Sequence, residues 1–149
     1  TRYTHDYVGL NGRMDSIQAA VLLAKWPLFA EEVQLRQQKG AFYTELLKDV
    51  VTTPVVLPGN THVYAQYTMR AERREELAGF LQSKGIPTGV YYPRCAHQQP
   101  AYSYLGYREG DFPVAEKAAS EVISIPMHPY LTQDEQEQVA DNIRKFYRG

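Results

Sequence analysis

From Asp15 to about Val50 the sequence reads as helix with one interruption, and this length constrains everything around it. Asp15 is a good N-cap, and Gln18, three residues on, is placed to return the hydrogen bond. The segment IQAAVLLAKW follows with helical composition. Pro27 is expected to kink or restart the helix, because it lacks an N–H and its ring crowds the preceding turn. Beyond it, Leu28, Phe29, Val33, Leu35, Phe42, Leu46 and Leu47 recur at roughly helical intervals among Glu, Gln, Lys and Arg. At 149 residues the chain has the length of one domain. In a domain that small, a long, bent, amphipathic helix often serves as a strut leading away from a neighbour.

The rest of the chain alternates shorter elements. Pro54, Pro58, Gly59 and Asn60 mark a loop. His62–Arg70 alternates residue types with a period near two and reads as a strand. Glu72–Lys84 reads as a helix, with Gly85 as its C′ residue and Pro87 just beyond. Thr88–Tyr92 reads as a second strand stopped by Pro93. Pro113–Glu121 reads as a helix and Val122–Ile125 as a strand stopped by Pro126. Thr132 and Glu135 match a capping box that opens a helix to about Tyr147, with Val139, Ile143 and Phe146 facing inward. The expected fold is a small α/β layer, about three strands packed with helices. Residues 1–50 form an entry loop and long linking helix, and residues 51–149 form the domain proper.

Several function classes are excluded early. A net charge of -1 gives no general attraction to nucleic acid or anionic membranes. No run is apolar for long enough to cross a bilayer, and Thr1–Arg13 has no apolar core of the kind a signal peptide needs. The single cysteine, Cys95, cannot form an internal disulfide, so a reducing cytoplasm is the expected setting. His5, His62, His97 and His128 are scattered, without metal-ligand spacing. The opening run TRYTHDYVGLNG lacks Met and reads as a loop entering from something upstream. Several of the twelve tyrosines cluster between Tyr91 and Tyr107, pointing to a wet, hydrogen-bonding surface.

Two clusters remain as candidates for chemistry. In Gly9-Leu10-Asn11-Gly12-Arg13-Met14-Asp15, two glycines beside an asparagine permit close approach of a ligand, and Arg13 offers a fork of donors suited to phosphate or carboxylate. Spacing alone favours the plainer reading, a Gly-Asn turn and helix cap. In Gly89-Val90-Tyr91-Tyr92-Pro93-Arg94, followed by His97, Gln98 and Gln99, hydroxyls and a cation gather where a strand ends, as in ligand-binding loops. Half-exposed edge tyrosines are again the plainer alternative.

Taken in order, four stretches resemble one family. GLNGRMDSIQAAVLLAKW, VYAQYTMR, GIPTGVYYPRCAHQQPAY and FPVAEKAASEVISIPMHPYLTQDE are similar to collinear signatures in the C-terminal part of the DegT/StrS-like aminotransferases. Those are fold type I enzymes that use pyridoxal 5′-phosphate to aminate nucleotide-linked keto-sugars. The nearest resemblance is to enzymes making 3-amino-2,3-dideoxy uronic-acid sugars for surface polysaccharide.

The resemblance implies that the large domain, with its Schiff-base lysine, lies upstream and is absent here, so the fragment alone is expected to be inactive. It implies a homodimer, a nucleotide-sugar substrate and glutamate as amino donor. Asn11 is then the asparagine that reaches the cofactor phosphate of the partner subunit. Arg13, Tyr91, Tyr92 and His97 would contact substrate, with Gln99 beside them; Tyr91 stands where relatives often have histidine. A pyridoxamine-phosphate-dependent sugar 3-dehydratase of the same fold, and a non-catalytic binding or dimerisation module, remain as alternatives.

Overall fold

The structure, a computed structural model, describes residues 3–149; Thr1 and Arg2 of the expected entry loop lie outside them. After an extended entry segment comes α1 (Ser16–Leu47), then β1 (Tyr67–Arg70) and α2 (Arg74–Ser83). Two short 3₁₀ turns follow, Ala96–Gln98 and Pro100–Leu105, then α3 (Pro113–Glu121), β2 (Val122–Ile125) and α4 (Gln133–Arg148).

The helix ends follow the capping chemistry. Asp15 accepts from the Gln18 N–H at 2.8 Å while Gln18 returns a bond to the Asp15 N–H at 3.2 Å. Thr132 and Glu135 close the same reciprocal box at the start of α4. Gly85 sits at φ +75°, and the Ile86 N–H reaches the Leu81 carbonyl at 3.0 Å, which is the Schellman closure of α2.

Pro27 does not divide α1; the helix runs through it as one element. Proline removes a single backbone bond, and the intact turns on either side carry the helix past it.

Only two of the three expected strands form. β1 and β2 pair antiparallel, with Tyr67 opposite Ile125 and Met69 opposite Ile123 on the buried face. The strand expected from His62 begins only at Tyr67, because Tyr64 takes a left-handed φ of 44° that breaks the extended run. Thr88–Tyr92 contributes a single bridge, Gly89 with Ser124, on the outer side of β2. The chain turns away there, and Tyr91 folds back over its own backbone: a Cβ at Gly89 would lie 2.7 Å from the Tyr91 ring. On the other edge, Thr52 bridges Arg70.

The core lies between the second half of α1, the sheet, α2 and α4. It gathers Leu47, Met69, Leu77, Leu81, Ile123, Val139 and Ile143 around three tyrosines, Tyr43, Tyr64 and Tyr67. Tyr64 lies flat on Gly40, where an added Cβ would come within 2.4 Å of its ring. Tyr67 stacks between Tyr43 and Tyr64, and its hydroxyl meets Thr44 Oγ1 at 2.9 Å. Desolvation is the main reason its hydroxyl is pushed up to about 12. The buried Tyr43 hydroxyl has no hydrogen-bond partner, and burial pushes its pKa up as well. Gln136, buried on α4, donates to the Lys39 carbonyl at 2.9 Å and fixes α4 against α1.

Candidate functional site

The first cluster lies on the open path from the entry segment into α1. Residues 6–14 are exposed, and Asn11 and Arg13 have no hydrogen bond or ion pair to any described residue. The Asp15 cap fixes the end of this stretch, so its donors are presented from an anchored loop rather than a free tail. An amide and a guanidinium held outward in this way match the donor needs of an anionic group.

The second cluster begins where the chain leaves β2's edge. Tyr91 and Tyr92 meet edge to face at 5.9 Å, with a cis peptide between them. Tyr91 lines a hollow of about 220 Å³ with Gly89, Ser124, Pro126 and Met127. Tyr92 is more exposed and takes the edge of the Tyr3 ring at 6.2 Å. The entry segment therefore runs beside the tyrosine pair. As expected from the sequence, Tyr91, Tyr92, Tyr104 and Tyr107 are all at the surface.

His97 sits differently from the tyrosines. Its Nε2 lies 2.9 Å from a Glu116 oxygen, and its ring packs on Phe112 at 4.7 Å. The Glu116 carboxylate also accepts from the Gly110 and Phe112 N–H groups, which hold it below the usual carboxylate range. Glu116 thus ties the first turn of α3 back to the Gly110–Phe112 backbone that precedes it. His97 also borders a second hollow, of about 420 Å³, with Arg94, Tyr107 and Arg108. Sequence reasoning missed Glu116. Its partner His97 lies 19 residues away, and no local rule in the sequence joins the two.

Cys95 is half-buried, and its thiol is pushed up by burial and by the charge of Glu116, as suits a structural cysteine. Among the described residues no group of His, Cys, Asp and Glu is arranged to hold a metal ion. No helix among them is long and apolar enough to cross a membrane. Lysine lines neither hollow: Lys25, Lys48, Lys84, Lys117 and Lys145 are exposed and Lys39 is half-buried on α1.

The family model described as the DegT/DnrJ/EryC1/StrS aminotransferase family matches residues 1–144. The chain belongs to this family. It is 45% identical over 151 residues to a "Pleiotropic regulatory protein" of Geobacillus stearothermophilus, covering 99% of this chain and 41% of that protein. It is 46% identical over 131 residues to a UDP-2-acetamido-2-deoxy-3-oxo-D-glucuronate aminotransferase of Pseudomonas aeruginosa, covering 87% of this chain and 36% of the relative. Among solved structures, S. venezuelae DesV superposes with a TM-score of 0.86 at 33% identity, over all of this chain and 41% of DesV. The chain thus spans about two fifths of the length of such relatives, and it corresponds to their C-terminal part.

DegT/DnrJ/EryC1/StrS aminotransferases use pyridoxal 5′-phosphate. The exposed donors of Asn11 and Arg13 suit its phosphate, while neither hollow offers a lysine amine to its aldehyde.

Proposed function

We propose that this chain is the C-terminal region of an enzyme that transfers an amino group to a nucleotide-linked keto-sugar, in amino-sugar or surface-polysaccharide synthesis. The observation that carries this reading is the family match over residues 1–144, joined to 46% identity with a sugar-uronate aminotransferase. The enzyme would act as a homodimer, with glutamate as amino donor. In the bound state pyridoxal phosphate supplies the electron sink for amino transfer.

Asn11 would donate to the cofactor phosphate across the dimer, and Arg13 would hold an anionic group beside it. Tyr91 and Tyr92 would flank the sugar, their rings shaping the wall and their hydroxyls offering hydrogen bonds. His97, paired with Glu116, would approach substrate from the 420 Å³ hollow while holding the loop onto α3. Neither the dehydratase nor the non-catalytic alternative gains support from the relatives.

The test is to supply the full-length protein with pyridoxal phosphate, glutamate and a UDP-linked 3-keto-uronate. An amino-sugar and 2-oxoglutarate formed in equal amounts are expected. Loss of water from the sugar without amine incorporation, or no turnover, would contradict the proposal. The 149-residue chain alone is expected to give no product.

A further inference from the structure

Gln99 is the one buried side-chain amide in the loop between Tyr91 and α3. Its Oε1 accepts from the His5 N–H at 3.1 Å, and its Nε2 donates to the Tyr3 carbonyl at 3.1 Å. The Ala101 N–H adds a third bond, to the His5 carbonyl at 2.9 Å. Gln99 is itself fixed, donating its N–H to Ala96 at 3.0 Å and accepting from the Tyr102 N–H at 2.9 Å. The amide therefore grips the entry segment as a strand neighbour would, with one donor and one acceptor to the backbone.

This grip sits between the two candidate clusters. Its target, Tyr3, touches Tyr92. Six residues beyond His5 lies Asn11, a reach of at most about 20 Å of extended chain, and four residues further the path is fixed again by the Asp15 cap. Residues 6–14 thus form a span pinned at both ends, and at the first end the Gln99 side chain bonds the backbone of both Tyr3 and His5.

We propose that Gln99 is a positioning residue: it holds the segment carrying Asn11 and Arg13 in register with the loop carrying Tyr91 and Tyr92. This rests on the reading that both clusters serve one site, and it assigns Gln99 to the protein's own backbone rather than to substrate. The amide suits the task because a carboxylate would repel the Tyr3 carbonyl and an aliphatic side chain would leave two backbone groups unpaired.

The test compares full-length wild type with Gln99→Leu and Gln99→Glu. In Gln99→Leu, amide hydrogen exchange over residues 3–15 should quicken about 10-fold or more, while α4 keeps its protection. Pyridoxal phosphate should dissociate about 10-fold more readily, as expected for one lost hydrogen bond to a charged group. In Gln99→Glu the same exchange should be fast at neutral pH and slow again, after correction for intrinsic rates, once the pH falls below the carboxylate range. There the neutral acid regains a donor for Tyr3. Unchanged exchange over residues 3–15 in both variants would overturn the clamp. So would intact cofactor retention in Gln99→Leu when Asn11→Ala loses it. If Asn11→Ala also retains cofactor, the shared-site reading fails instead, and the exchange data still decide the clamp.

Discussion

The two halves of α1 belong to one helix and live in different surroundings. In the second half, Gly40, Tyr43 and Leu47 are buried at three- and four-residue spacing, and α4 and the sheet close over them. In the first half, Ile17, Val21, Leu22, Leu23, Trp26, Leu28 and Phe29 are all exposed. Trp26 and Phe29 even stack on one another at 5.3 Å in the open. An all-round apolar helix surface is the mark of a buried helix, not of a solvated one. The second half is therefore part of the domain's own core, whereas the first half keeps an apolar surface exposed. That contrast accounts for the candidate site as well, since Asn11 and Arg13 lie at the exposed end.

The contrast can be broken by substitution. Leu47→Ala should cost about 3 kcal/mol in denaturant unfolding, since Leu47 is fully buried. Leu23→Ala, at 73% exposed, should change the stability of this chain by less than about 0.5 kcal/mol. Equal losses at the two positions would erase the distinction between the halves.

Gly40→Ala should cost about 2 kcal/mol by the same measurement, because the Tyr64 ring occupies the space of the new methyl. A smaller effect separates two buried tyrosines. Tyr67→Phe gives up the bond to Thr44 and should cost about 1 kcal/mol, whereas Tyr43→Phe removes an unpartnered hydroxyl and should be neutral or slightly stabilising. Alkaline unfolding checks the same pair. Their folded pKa values are raised, so their contribution is complete below the ordinary tyrosine value near 10. It should fade as the pH climbs from there through about 12, the folded value of Tyr67.

Much of this was legible in the sequence wherever a local rule decides the outcome. Asp15 with Gln18, Thr132 with Glu135, Gly85 after α2, and the strand 122–125 all stand where their residues place them. What failed depended on contacts distant in sequence. The alternation at 62–66 is overridden by the left-handed Tyr64, which packs on Gly40 from another element. The strand at 88–92 is cut short where Tyr91 folds onto Gly89. At Pro27, where a kink or restart is expected, α1 continues as one element without restarting.

The site divides in the same way. Asn11 and Arg13 stand exposed on an irregular stretch in which the expected Gly-Asn turn does not form, and the surface tyrosines were evident from their clustering. The Glu116 partner of His97 and the grip of Gln99 on Tyr3 and His5 span 19 and more than 90 residues, and no spacing rule marks them.

The most direct measurement is the pyridoxal phosphate dissociation constant of the full-length protein with and without Asn11→Ala. About 10-fold or greater weakening is expected, the size of one hydrogen bond to a charged group, with the fold unchanged by circular dichroism. An unaltered dissociation constant would contradict the claim that this exposed end completes a cofactor site.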